Sequence, residues 1–195
     1  LVTMRPRIGA CVKIMDFNEL CDICEMRLAL EAHAAGKAAV RRSETDLREI
    51  QQALETMRGL TERIFAAETE KPFLEDLVRA DIRFHIAIMA ASKNNLMRKE
   101  ILRLHLTNRV VGGLYIEAKA KMTAANKAET DANHRAVMAS HEEIYDAIAQ
   151  CDAKAARVAM ERHIQDAIDK ALALIEPKAG TAARELTLEE LAYIS

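Results

Sequence analysis

The sequence predicts an all-α fold, an antiparallel bundle of six or seven helices behind a short β-ribbon, and three observations carry that prediction. Half of the 195 residues are hydrophobic, yet only 4% are aromatic and none is Trp; Ala, Leu, Ile, Met, Glu, Lys and Arg dominate, a composition suited to helices. Gly and Pro number only 6 and 3, which leaves little material for turns and implies few, long helices. Apolar residues recur at helical spacing almost without a break from residue 17 to about Ile175. A chain of this length suffices for one domain with a sizeable core.

Taken in order, residues 1 to 16 differ from the rest. Apolar and β-branched residues flank Arg5-Pro6-Arg7-Ile8-Gly9, where Pro and Gly punctuate a turn, and the pattern predicts a two-strand ribbon. Helix 1 is expected over 17–42. Ser43, just ahead of Glu44 and Asp46, offers an N-cap with acids in the first turn, so helix 2 is expected over 44–68. Pro72 suits the start of helix 3, over 72–91. Asn94 or Asn95 can cap helix 4, extending to about 120. Helix 5 is expected over 129–150, and Asp152 caps helix 6, which runs to Ile175 before Pro177 and Gly180. The tail has room for one short helix, Leu186 to Ala192. Short connections between six helices imply antiparallel neighbours around one core.

The charge balance narrows the function classes. With 28 basic and 30 acidic residues interspersed, the net charge is -2, so bulk charge gives no support to nucleic-acid affinity. No run approaches the roughly 18 apolar residues of a membrane span, and the start does not read as a signal peptide; a cytoplasmic location is expected. Cys11, Cys21, Cys24 and Cys151 contain one Cys-x-x-Cys pair in helical surroundings with no second pair to complete a four-sulfur zinc site, and reduced thiols are expected.

Four polar residues interrupt apolar stripes. In helix 3, Leu74, Leu77, Val78, Phe84 and Ile88 form a stripe whose gap is filled by Asp81, with His85 one turn on. Residues four apart project about 40° from one another, so both face the core. A buried carboxylate is costly unless paired or bound to metal. In helix 5, His141 lies at the centre of Val137, Met138, Ile144, Tyr145 and Ile148. In helix 6, His163 lies among Ala156, Met160, Ile164, Ala167 and Ala171. A single core histidine is usually a hydrogen-bonded structural residue. Four on three stripes, if the helices face one another, bring one carboxylate oxygen and three imidazole nitrogens together, a donor set that suits zinc or another first-row divalent metal.

Other chemistries fit less well. A di-iron bundle needs two Glu-x-x-His motifs, and none of the 6 histidines has Glu three positions earlier. His141-Glu142 opens like a metalloprotease helix, but Tyr145 stands where the second His is required. No Gly-rich phosphate loop or Gly-x-Ser-x-Gly elbow is present. His134 shares the stripe of His141 two turns earlier, with Asp131 a turn before it; so close to a helix start, solvent or a cap is the expected surrounding. His33 and His105 have no ligand-spaced partner and read as structural or surface residues.

Several segments together resemble the effector domain of the FadR-type branch of GntR transcription regulators, the FCD domain. They are Glu25-Met26-Arg27-Leu28-Ala29-Leu30-Glu31, Asp81-Ile82-Arg83-Phe84-His85 followed by Ala91-Ser92-Lys93-Asn94, Ser140-His141-Glu142-Glu143-Ile144, and Asp152 leading to Met160-Glu161-Arg162-His163. The resemblance covers about Phe17 to Ile175. It implies an antiparallel helical bundle in which an Asp and three His, matched by Asp81, His85, His141 and His163, hold a divalent metal (zinc, with nickel or manganese as alternatives) beside a small organic acid. It also implies that Arg27 turns into the pocket to bind that carboxylate, whose oxygens match the planar fork of a guanidinium. A surface ion pair with Glu31 is the competing reading of Arg27, because helix 1 is too apolar all round to fix its facing.

The resemblance extends to residues 1–12, which look like the end of a winged helix-turn-helix domain. It divides the chain into a wing remnant and linker (1–16), a metal- and ligand-binding effector domain (17–176) and a C-terminal tail (177–195). The helix-turn-helix itself is missing from this chain, which reads either as a sequence lacking its beginning or as a truncated regulator that cannot contact a major groove. The implied function is a ligand-responsive regulator acting as a homodimer. Two other classes stay in view: a metal-dependent enzyme with a three-His, one-Asp site, and a helical dimerisation module with a polar core and no metal.

Overall fold

A computed structural model describes residues 2–5, 9–12, 17–104 and 127–175, with side chains described over 21–104 and 127–170. A two-strand antiparallel ribbon, β1 (Val2–Arg5) and β2 (Gly9–Val12), opens the chain with Val2 opposite Val12 and Arg5 opposite Gly9. The helices are α1 (Phe17–Arg41), α2 (Glu44–Ala66), α3 (Leu74–Ala91), α4 (residues 95–104), α5 (Lys127–Ala149) and α6 (Ala153–Ile175). The expected extension of α4 to 120, the tail helix at 186–192 and His105 lie outside the described residues.

The boundaries follow local chemistry. Ser43 closes a capping box on α2: its hydroxyl accepts from the Asp46 amide while Asp46 accepts from the Ser43 amide at 2.7 Å. α2 stops at Ala66, two residues earlier than expected, because Ala67 turns extended (φ -94°, ψ 156°). Pro72 does not open α3 itself. It sits in a single 3-10 turn, Lys71–Phe73, and α3 begins at Leu74; the ring suits either first turn, since the missing N–H has no partner there. The Asn94 side chain accepts from the Met97 amide at 3.1 Å, and the Asp152 side chain from the Ala155 amide at 2.9 Å, capping α4 and α6. Lys93 and Cys151 make the tight exits from α3 and α5 with left-handed backbone, φ 57° and 59°.

α1 lies along α6 and also meets α3 and α5; α5 lies along α6, and α2 covers α3 and α5 from outside. The approach of α1 to α6 is close: a Cβ added at Gly36 would meet the Ala153 carbonyl oxygen at 3.0 Å. That pairing, between the end of α1 and the start of α6, makes the two antiparallel, and buried Ala34, Ala35, Ala38, Ala156 and Ala159 keep the backbones near. The core is Ile50, Met57, Phe84, Ile88, Met89, Ile144, Ile148, Met160 and Ile164 with their neighbours. One stripe is corrected: on α6, Ala167 is exposed and Ile168 takes the core position, as the drift of a 3.6-residue helix from Ile164 dictates. Cys21, Cys24 and Cys151 are free thiols. Among the described residues no helix is long and apolar enough to cross a membrane.

Candidate metal centre

α3, α5 and α6 deliver the four expected residues to one point. Asp81, His85, His141 and His163 each offer a ligand atom, and these atoms all lie within 4.8 Å of one another. Asp81 Oδ1 is 3.0 Å from His141 Nε2 and 3.8 Å from His85 Nε2. The His141 and His163 rings lie 4.2 Å apart, the His85 and His163 rings 5.3 Å. All three imidazoles are buried, whereas the Asp81 side chain is 36% exposed and so forms the mouth of the cluster. Phe84 packs edge-on against His85 and His141 as an apolar wall.

The hydrogen bonds behind the rings fix which nitrogens face inward. The Val137 carbonyl can only accept, so at 2.8 Å His141 donates from Nδ1, and its Nε2, 3.0 Å from Asp81 Oδ1, is the nitrogen turned inward. The same carbonyl accepts from the Ser140 hydroxyl at 2.7 Å. With its proton used there, Ser140 Oγ must accept from His163 Nδ1 at 2.8 Å, which bares His163 Nε2. His85 Nδ1 lies 2.6 Å from Glu31 Oε2. Each ring thus has Nδ1 held by an outer partner and Nε2 left for the centre, the pattern by which proteins orient metal-binding histidines. A neutral His141 would bring its Nε2 lone pair against the Asp81 carboxylate, and a second proton on the ring or a metal cation resolves that contact.

The electrostatics differ from group to group. Partial desolvation at the mouth opposes ionisation of Asp81, but the His141 contact and the field of the three imidazoles outweigh it, holding the carboxyl far below its usual range. Burial, reinforced by His141 and His85, pushes His163 well below the ordinary histidine value, which favours the neutral, ligating form. Burial also lowers His85, but Glu31's charge and hydrogen bond win and raise it.

Arg27 pairs with Glu31 inside the bundle and not at the surface. Its Nε donates to Glu31 Oε1 at 2.8 Å, so the ion pair exists, but with side chains 11% and 0% exposed it is not a surface pair. Burial works against the guanidinium's charge, and the carboxylates of Glu31 and Asp81 more than offset it, which places Arg27 in the field of the cluster. Sequence reasoning assigned no role to Ser140, and it treated Glu31 only as a surface partner. An acid in a helix apolar on all sides needs a partner wherever it faces, and that was the available signal for Glu31. Ser140 gave none, because it serves a ring on another helix. His134 is a correction: instead of facing solvent or a cap it is buried, with Nε2 2.5 Å from Glu70 Oε2, because the α2–α3 connection folds over it. His33 is exposed, as expected.

Comparison with known proteins bears on the family and the fold. The family model described as the FCD domain matches residues 22–166. The HTH-type transcriptional regulator LutR of Bacillus subtilis (strain 168) is 29% identical over 156 residues, 80% of this chain; the chain spans 64% of that relative's length. Among solved structures, Escherichia coli McbR/YncC matches with a TM-score of 0.69 at 19% identity, over 90% of this chain and 74% of that one. A Streptococcus agalactiae GntR protein matches with a TM-score of 0.55 at 21% identity, over 87% and 74%. A third structure, of a Listeria monocytogenes protein described as "Lar controls the expression of the Listeria monocytogenes agr system and mediates virulence", gives 0.63 at 17% identity, over 89% and 73%. At these identities the structural matches bear on the fold.

Proposed function

Because the chain belongs to the FCD domain family, the effector-sensing part of GntR-type transcription regulators, we propose that Asp81, His85, His141 and His163 hold a divalent metal ion at which a small carboxylate effector binds with the help of Arg27. The observation that carries the proposal is the convergence of three imidazole nitrogens and one carboxylate oxygen, each ring having its Nδ1 against a separate outer partner. One oxygen and three nitrogens suit zinc, with nickel or manganese as the alternatives. Such an ion would supply a Lewis-acid anchor for a carboxylate. Arg27 would add a planar fork of donors on the α1 side, and the apolar walls of Phe84 and the bundle core would exclude water. Asp81 at the mouth marks the side of entry.

Sensing requires the acid to bind one arrangement of the domain more tightly than another. α1, α3, α5 and α6 all contribute to the site, so a ligand that draws on metal and Arg27 together biases how α1 packs against the other three. In this reading the protein works as a homodimer in the cytoplasm and controls transcription through a winged helix-turn-helix domain joined on the ribbon side, bounded as 1–16, 17–176 and 177–195. The HTH-type Bacillus relative supports that assignment. The family is one of regulatory domains, and the metal-dependent enzyme gains no support from it.

A thermal-shift titration of chelator-stripped protein tests the proposal. Zinc at a hundred times its dissociation constant should add about 2.7 kcal/mol of stability, and His141→Ala should abolish the gain. A screen of small carboxylic acids should then give further stabilisation only in the zinc-loaded protein and only with Arg27 in place. Equal shifts in the parent and in His141→Ala would count against the site.

A further inference from the structure

We propose that Glu31 is a positioning residue that couples the metal site to the effector arginine; the inference rests on the metal-and-carboxylate reading above. Glu31 is 0% exposed, and its two oxygens go to two different functional side chains. Oε1 takes Arg27 Nε at 2.8 Å, and Oε2 lies 2.6 Å from His85 Nδ1. One buried carboxylate on α1 therefore sets a candidate ligand on α3 and the candidate anion clamp on α1. The bond to Arg27 uses Nε, so the guanidinium's terminal edge is not part of it, and that edge is the one able to make paired bonds to an incoming carboxylate.

The two halves of the bridge act on one another. Glu31 orients the His85 ring and increases its basicity as a ligand, the effect that an outer carboxylate has on a metal-binding histidine. Arg27 draws on the same negative charge. When Arg27 turns towards an anionic effector, the share of Glu31 left to His85 grows, and the metal ligand becomes more basic. Metal and effector binding are thereby linked through a carboxylate that touches neither. Coupling of this sort is reciprocal, so metal must favour effector as much as effector favours metal.

The test uses metal alone. Zinc affinity, from competition with a chromophoric chelator, and the absorption spectrum of the cobalt(II)-loaded protein are compared for the parent, Glu31→Gln, Arg27→Gln, the double variant and Asp81→Ala. Glu31→Gln should weaken zinc by about 10- to 100-fold and change the cobalt spectrum, which reports ligand geometry rather than fold. Arg27→Gln should alter zinc affinity by a factor that differs at least about threefold according to whether Glu31 is present or already replaced by Gln. Should Glu31→Gln alone fail to fold, the double variant, which removes both charges of the pair, is compared with Arg27→Gln, and a loss of about tenfold or more is expected. Zinc affinity within twofold of the parent together with an unchanged cobalt spectrum overturns the Glu31 inference, as does an Arg27→Gln effect equal in both backgrounds. In those cases Asp81→Ala still loses zinc and the metal reading stands. Failure of the parent itself to bind zinc sinks the metal reading, and the Glu31 inference with it.

Discussion

Ser140 stands one position before a candidate ligand in the chain, yet it serves a different one in space. Its hydroxyl donates to Val137 O and accepts from His163 Nδ1, so it fixes the tautomer of a ring on α6 from a seat on α5. Ser140→Ala is expected to keep the fold and weaken zinc by about tenfold, measurable in the same chelator competition; an unchanged affinity would show that packing alone orients His163. His134 makes a second residue-scale test. Its buried bond to Glu70 ties the α2–α3 connection to α5. Removing one partner leaves the other buried, so His134→Leu should cost about 2 kcal/mol in denaturant unfolding without changing metal affinity. Both residues mark where sequence reading stops. The periodicity of α5 shows that His134 and His141 share a face, but which side chain covers that face is set by a connection 64 residues away in the chain.

At the scale of elements, the helix ends were legible because their chemistry is local. Ser43, Asn94 and Asp152 cap the helices they precede, and Ser43→Ala should cost about 1 kcal/mol. The cap also carries a pH dependence. Burial opposes the charge of Asp46, but hydrogen bonds from Lys93 and Ser43 prevail and lower its pKa from 3.8 to about 2. A group depressed in the folded state stabilises the protein above its unfolded value, and that contribution is lost as pH falls through the folded one. Asp46 should therefore contribute fully above about pH 4 and lose its contribution towards pH 2, and Asp46→Asn should flatten the stability profile across that window. Cys151 adopts a left-handed backbone that Gly accepts without penalty, so Cys151→Gly should raise stability by on the order of 1 kcal/mol. Helix faces were less uniformly legible. The stripes of α3 and α5 hold, α6 shifts by one residue from Ala167 to Ile168, and α1, apolar on all sides, gave no direction for Arg27 until its packing against α3 and α6 was known.

For the whole molecule, the bundle is what turns four scattered residues into a centre. α3 places two candidate ligands and α5 and α6 one each near mid-helix, and α1 closes the back of the cluster with Glu31 and Arg27. The sequence supplied the residue types and their faces; the inward turn of Nε2 comes from contacts between helices for His85 and His163 and from a bond within α5 for His141. The seal depends on the close approach at Gly36, where a larger side chain would press on the Ala153 carbonyl. Gly36→Leu should cost on the order of 2 kcal/mol and also loosen metal binding by moving α1 from α6. The most direct test of the central claim is the metal content of protein purified without an affinity tag, measured by elemental analysis beside Asp81→Ala/His163→Ala. Near-stoichiometric divalent metal in the parent and little in the double variant is the predicted result. A parent that is cooperatively folded, metal-free and indifferent to added zinc would contradict it, leaving a helical bundle whose buried histidines serve one another.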